Sequence, residues 1–237
     1  MESHLKRVAK SYDRCIADHG KKDAPGYDTL PDDITNDPDY PSWKAEADQQ
    51  SYKSECKKEI RDYLSPDKGM RFIQLGCSLN LMCKGYDRWP STYYGVDISG
   101  RTIRLLKNFV KKNKVSVGAL HCGSIHETPF DDNAFDIGEC IGVLEYYERA
   151  FVLKAVREFH RILKPGGRFV LDIPNAGSPG GRMAMRIEGR LGRPDKFDMP
   201  PQEFEDMIED YFEIEDSDRM RARHTGIMYC YYLRCKK

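Results

Sequence analysis

RFIQLGCSLNLMCKGYDRWPSTYYGVDIS, residues 71–99, contains two short apolar runs, each closing on a residue type that a nucleotide site uses. The first ends in Leu75-Gly76 and the second in Asp97, twenty-one residues after the glycine. A strand that ends in glycine brings backbone close to a ligand at the carboxyl edge of a parallel sheet, where the next helix N-terminus faces it. A carboxylate closing the following strand is placed to accept hydrogen bonds from ribose hydroxyls. The turn reads Gly76-Cys77-Ser78-Leu79-Asn80-Leu81, so it has one of the three glycines of a dinucleotide fingerprint. Ser78 and Leu81 stand where a nicotinamide oxidoreductase wants glycine, which argues against that class.

Outward from this stretch, apolar runs and helical periodicities alternate. Strands are expected at 71–75, 93–96, 115–121, 135–141 and 168–173. Ile103, Leu106, Phe109 and Val110 mark a helix after Asp97. Val152, Ala155, Val156, Phe159, Ile162 and Leu163 mark a longer one over 150–163, with Lys164-Pro165-Gly166-Gly167 as its stop. This alternation implies a mostly parallel sheet, because parallel neighbours need long right-handed crossovers. The final runs, 212–214 and 227–233, follow a short helix over 202–211 and have no room for a crossover helix between them, so they are expected to pair antiparallel.

On the amino-terminal side, Leu5, Val8, Tyr12 and Ile16 share one helical face, as do Tyr52, Cys56, Ile60, Tyr63 and Leu64 in a helix over 51–64. Between them, residues 22–43 are rich in Asp, Pro and Tyr and are expected to be irregular, a flap over a ligand. The expected division is an N-terminal helical cap, 1–66, and an α/β unit, 67–237, with a lid insertion at 177–200.

The 237 residues carry 38 basic and 38 acidic side chains, so no global field draws in nucleic acid or an anionic membrane. No apolar run approaches the roughly 20 residues of a membrane span, and a cytoplasmic protein without signal peptide or anchor is expected. The eight cysteines form no C-x-x-C pair and have no histidine at ligand spacing, which fits reduced, mostly buried thiols and no metal or cluster site.

From about residue 71 to 233 the chain resembles the class I S-adenosylmethionine-dependent methyltransferases, in their small-molecule, type 11-like branch. The resemblance is carried by the LGC turn at 75–77, YGVDIS at 94–99, TPFDDNAFDIGECIGVLEYY at 128–147 and REFHRILKPGGRFVLDIPN at 157–175. It implies an α/β fold: a Rossmann-like, doubly wound, mostly parallel seven-stranded sheet with an antiparallel C-terminal strand, plus the N-terminal helices. It also implies S-adenosylmethionine as cofactor and S-adenosylhomocysteine as product. The positions that would line the cofactor are Gln74, Gly76, Cys77, Ser78, Asp97, Ile98, Ser124, Ile125 and Cys140.

Three of these positions depart from the family pattern. Gln74 replaces an acidic residue, which leaves an amide as acceptor for the methionine amino group. Ser78 and Asn80 replace glycines in the turn, where asparagine tolerates the left-handed region better than most residues. Ser124 replaces an aspartate that accepts from the adenine amino group; its hydroxyl retains that capacity, and Ile125 adds an apolar contact. Asp97 keeps its carboxylate, and hydrogen bonds from ribose hydroxyls to an ionised group are worth about 1.5–3 kcal/mol.

Methyl transfer is an in-line displacement that chiefly requires a nucleophile held about 3 Å from the methyl group in a dry pocket. Tyr146, Tyr12 and His126 are the candidate catalytic groups at the mouth. Arg182, Arg186, Arg190 and Arg193 in the lid would form a basic ridge suited to an anionic acceptor, or a solvated face paired with the acidic run 203–218. The leading expectation is methyl transfer to a small molecule. A non-catalytic or regulatory member of the fold is the alternative, motivated by Gln74, Ser78, Asn80 and Ser124. An RNA methyltransferase is a third reading, for which Arg101, Arg104, Lys107, Lys111, Lys112 and Lys114 would supply phosphate contacts.

Overall fold

Parallel strands must be joined by crossovers, and the amphipathic helices of this chain supply them. The computed structural model describes residues 2–18, 30–49, 57–192 and 195–237. Helices α1 (Glu2–Asp18), α2 (Asp32–Thr35), α3 (Tyr40–Gln49) and α4 (Lys58–Leu64) precede β1 (Arg71–Leu75). Then come α5 (Asn80–Cys83), β2 (Thr92–Asp97), α6 (Gly100–Asn113), β3 (Val117–Cys122), β4 (Phe135–Cys140), α7 (Arg149–Ile162) and β5 (Leu163–Pro174). The chain closes with α8 (Pro179–Arg190), α9 (Pro201–Ile208), β6 (Phe212–Ser217) and β7 (Met228–Cys235).

The seven strands lie in the order β3-β2-β1-β4-β5-β7-β6, with β1 to β5 parallel and β7 antiparallel to both β5 and β6. The expected architecture is therefore present. The strand order reverses direction between β1 and β4, which opens a crevice at their carboxyl ends. On one face of the sheet, Ile73, Leu75, Phe135, Phe169 and Leu171 pack on Val152, Val156 and Phe159 of α7. On the other, Phe72, Tyr93, Ile137 and Val170 pack on Ile103 and Leu106 of α6 and on Ile60 and Leu64 of α4.

Local chemistry sets the helix ends. Ser99 caps α6 by accepting from Thr102 N at 3.0 Å, and Lys114 closes it in the left-handed conformation. Ser178 caps α8 by accepting from Gly181 N at 2.9 Å, with Pro179 in the first turn.

Several expectations are corrected. Residues 32–35 and 40–43 of the segment expected to be irregular are helical, as α2 and the first turn of α3, and these helices pack against α8 through a small separate core of Ile34, Trp43, Met183 and Ile187. The helix expected over 51–64 is described from Lys58; Tyr52 and Cys56 lie outside the described residues. Helix α4 packs into the main core through Ile60 and Leu64. Helix α7 stops just before Lys164 to Gly167, but β5 starts earlier than the expected 168: Leu163 already pairs with Phe135, and the Pro-Gly-Gly run is an irregularity inside β5 before Arg168 pairs with Ile137. The lid insertion contains a full helix, α8. Among the described residues no helix is long and apolar enough to cross a membrane.

Phe159 is fully buried, at 0% exposure between the sheet and α7. Phe159→Ala is expected to lower unfolding stability by about 3–5 kcal/mol in urea titration, while a loss under 1 kcal/mol would contradict this packing.

Candidate functional site

The turn after β1 is folded back onto β2. Gly76 N and Cys77 N both donate to Val96 O, at 2.8 and 2.9 Å. Gly76 has φ +76° and packs so closely on the loop after β4 that a Cβ would lie 2.2 Å from Val143 Cγ2. Only glycine fits there. Ser78 is also left-handed, at φ +44°, whereas Asn80 is helical and opens α5. The strain expected at two replaced glycines is therefore confined to Ser78.

Asp97 anchors this region. Its Oδ2 accepts from Ser78 N and its Oδ1 from Ser99 N, both at 2.8 Å, so one carboxylate ties the glycine turn to the start of α6. Burial pushes its pKa up to about 6, against the lowering effect of those two N–H donors. Helix α1 crosses just outside: Asp13 Oδ1 accepts from Ser99 Oγ at 2.5 Å and from Arg101 N at 3.1 Å. Ile98 packs at the margin of the large core.

Gln74 does not face this crevice as an open acceptor. Its Oε1 accepts from Tyr93 OH at 2.6 Å and its Nε2 donates to Glu139 Oε1 at 2.6 Å, which also takes the Tyr86 hydroxyl at 2.5 Å. Gln74 and Glu139 are register partners on neighbouring strands, and both are buried, at 2% and 1% exposure. Burial raises Glu139 to about 7, and its Oε2 has no hydrogen-bond partner. Cys77 and Cys140 are fully buried thiols, pushed well up by desolvation, and they serve as packing groups.

Beyond β3, Ser124 Oγ is 2.6 Å from His126 Nδ1, and the imidazole lies against Phe151 with ring centroids 4.8 Å apart. Burial lowers the His126 pKa, favouring the neutral ring. Ile125 is buried beside them. His126 is thus brought together with Ser124 and not with the two tyrosines.

Tyr12 and Tyr146 do meet. The Tyr12 hydroxyl donates to Tyr146 OH at 3.0 Å, which donates to Glu188 Oε2 at 3.2 Å, linking α1, the loop after β4 and α8. His4 Nε2 lies 2.6 Å from Tyr146 O. Carboxylates that the sequence reading missed surround this chain. Glu145 is raised by burial and by Asp172, Asp195 is raised to about 6 by burial, and Asp172 is raised to about 6 by burial while accepting from Gly142 N at 2.8 Å. Asp172 was visible as the polar residue of an apolar strand; Glu188 and Asp195 gave no local signal. Among the described residues no group of three or more His, Cys, Asp and Glu could hold a metal ion.

The lid arginines are matched by acids, but not those of 203–218. Arg182 grips Asp39 with two hydrogen bonds of 2.9 and 3.1 Å, Arg186 pairs with Asp37, and Arg190 pairs with Asp33. Spacing of four residues puts the three on one face of α8, against the segment leading into α3. Arg193 lies outside the described residues. The ridge expected to receive an anionic acceptor is thus neutralised from within.

Residues 73–171 match the family model described as a methyltransferase domain. Over these residues, which make up under half of the chain, the sequence is similar to that family. The chain is 29% identical over 124 residues to the ubiquinone biosynthesis O-methyltransferase of Bradyrhizobium sp., covering 51% of this chain and 47% of that protein. It is 29% identical over 137 residues to the tRNA U34 carboxymethyltransferase of Saccharophagus degradans, covering 56% of this chain and 38% of that one. The chain spans 32% to 47% of the lengths of these and the other curated relatives it matches. Its fold resembles that of Streptomyces coelicolor geranyl diphosphate C-methyltransferase, solved with Mg2+, geranyl diphosphate and S-adenosyl-L-homocysteine. That comparison has a TM-score of 0.64 at 16% identity and covers 99% of this chain and 98% of that one.

In the turn after Gly76, Ser78→Gly removes a left-handed L-residue and is expected to raise stability by about 0.5–1 kcal/mol in urea unfolding, part of the roughly 1–2 kcal/mol that such a conformation costs. No gain would mean that the turn relaxes around serine. Glu139, raised from 4.5 to about 7, favours the folded state most below pH 4.5, and that contribution is lost as pH rises through 7. The Tm of the native protein is expected to fall between about pH 5 and 8 with a slope that shrinks in Glu139→Gln; identical slopes would contradict the assignment.

Proposed function

We propose that the protein transfers a methyl group from S-adenosylmethionine to a small-molecule acceptor, with α1, α2, α3 and the 177–200 lid forming the acceptor side. The observation that carries this reading is Asp97, which closes β2 beside the Gly76 turn at the edge where the strand order reverses. The residues fit the cofactor. A carboxylate has about four acceptor positions, and Ser78 and Ser99 use two on Asp97, leaving capacity for ribose hydroxyls. Ile98 and Ile125 give apolar contacts for a base, and Ser124 gives a hydroxyl beside it. Gln74, tied to Tyr93 and Glu139, contributes by setting the turn and not by accepting from the amino group.

When bound, the sulfonium supplies an electrophilic methyl group. The chain's part is to hold the nucleoside at Asp97, to exclude water beneath α1, and to hold the acceptor in line. In this reading Tyr146 accepts a hydrogen bond from the acceptor, and a proton taken from it would be passed on as the Tyr146 hydroxyl gives its own proton to Glu188, to which it already donates. With Glu145, Glu188 and Asp195 nearby and the lid arginines already paired, a neutral or cationic acceptor suits this mouth better than an anionic one. The engagement of Gln74 and of Asp97 with the protein's own groups favours a second reading, a member of the fold that does not transfer methyl groups.

Calorimetric titration with S-adenosylmethionine and S-adenosylhomocysteine separates the two. Micromolar binding is expected, weakened at least about tenfold in Asp97→Ala and Asp97→Asn, the loss of roughly 1.5 kcal/mol of charged hydrogen bonding. Binding of neither compound would turn the assignment to the non-catalytic reading.

A further inference from the structure

The chain has equal numbers of acids and bases, yet residues 98–126 contain six Lys and Arg and not one Asp or Glu. The structure puts all six on or just after α6: Arg101, Arg104, Lys107, Lys111, Lys112 and Lys114, every one exposed. At 100° per residue, the five helical ones fall within an arc of about 140° that runs about 16 Å along the axis, opposite the buried Ile103 and Leu106. Elsewhere several arginines lie against carboxylates, as Arg149 on Glu203, Arg161 on Asp132 and Arg234 on Glu215 do. None of the six is in an ion pair among the described residues. Asp13 of α1 reaches the first turn, where it accepts from Arg101 N, but it pairs with none of the six side chains; neighbouring cations left unpaired in this way repel one another, and a ligand that neutralises them is favoured.

We propose that this face of α6 binds the phosphate backbone of single-stranded RNA. Three features select that partner. First, the row has no apolar anchor: the exposed large hydrophobic residues among those described are Met82 and Met220, neither on α6, so the face lacks what an interfacial membrane helix inserts. Second, the adjoining strand β3 is the open edge of the sheet, but its pairing with β2 shifts register between Tyr93 and Tyr94, an irregularity that discourages addition of an acidic peptide as a further strand. Third, a rigid row about 16 Å long matches four or five phosphates of a strand that is stacked on binding, taking about the 3.4 Å per charge of one strand of duplex DNA. The row starts at Arg101, four residues past Asp97, so a bound strand would lie beside the mouth. The surface stands outside the crevice, and the proposal holds whether or not the acceptor is itself RNA.

Fluorescence anisotropy with a labelled mixed-sequence 20-nucleotide RNA tests it on the full chain. With about four phosphate contacts, affinity is expected to fall about 50-fold between 50 and 200 mM KCl. The triple variant Arg104→Glu, Lys107→Glu, Lys111→Glu should abolish binding, and Lys58→Glu, at an exposed lysine of α4, should leave it unchanged. The milder pair Lys107→Gln and Lys111→Gln, with unchanged circular dichroism, should reduce the salt slope by about 0.7 per residue. The proposal is overturned if the native protein does not bind at 50 mM KCl, or if the α6 variants bind like the native protein. It is equally overturned if polyglutamate, or vesicles of one part phosphatidylserine to three parts phosphatidylcholine, bind more tightly than the RNA. Because S-adenosylhomocysteine is absent from the assay, failure here leaves the methyl-transfer reading untouched, and the calorimetric titration decides that reading separately.

Discussion

A single buried carboxylate, Asp97, holds the two halves of the crevice together. It receives the backbone N–H of Ser78 from the glycine turn and of Ser99 from the cap of α6, each at 2.8 Å. Those bonds fix where β1 ends relative to β2, and Gly76, pressed against Val143, fixes where both lie relative to β4. Everything that could hold a nucleoside is referred to this clamp. Its raised pKa is the cost of burying a carboxylate with only backbone dipoles for partners.

Around the clamp, two devices close the site from above. One is α1, which brings Asp13 to the cap of α6 and Tyr12 to Tyr146. The other is α8, held to the segment before α3 by the Arg182, Arg186 and Arg190 ladder and by the Ile34, Trp43, Met183 and Ile187 core. Ion pairs this exposed contribute little each, roughly 0–1 kcal/mol, so the apolar cluster supplies the adhesion and the arginines supply register. The hydroxyl chain from Tyr12 through Tyr146 to Glu188 joins both devices, so any acceptor entering there meets groups from cap, sheet and lid together.

The parallel core was legible because strands buried on both faces read as apolar runs and their crossover helices as 3.6-residue periodicities. Asp97 was legible for the same reason, as the charge that ends an apolar strand. The partners of Gln74 were not legible, because adjacent strand residues point to opposite faces and a one-residue motif position does not say which partner a neighbouring strand will offer; Glu139 is that partner. Helix α3 was hidden because its sequence, YPSWKAEADQ, has only Trp43 buried and little amphipathic pattern. The lid arginines were visible, but their aspartates lie 143 to 157 positions away, and only tertiary structure selects among so many acids. Asn80 shows a smaller limit: its residue type permits the left-handed region, but the helix that it opens decides against it.

We propose that a nucleoside binds in the crevice between the Gly76 turn, the end of β2 and the loop after β3, beneath α1. Hydrogen exchange measured with and without S-adenosylhomocysteine tests it by location. The prediction is slowed exchange at 76–80, at 97–103 and at 123–126, with added protection along α1. Protection confined to other parts of the chain would contradict it, and so would unchanged exchange at a saturating concentration of the compound.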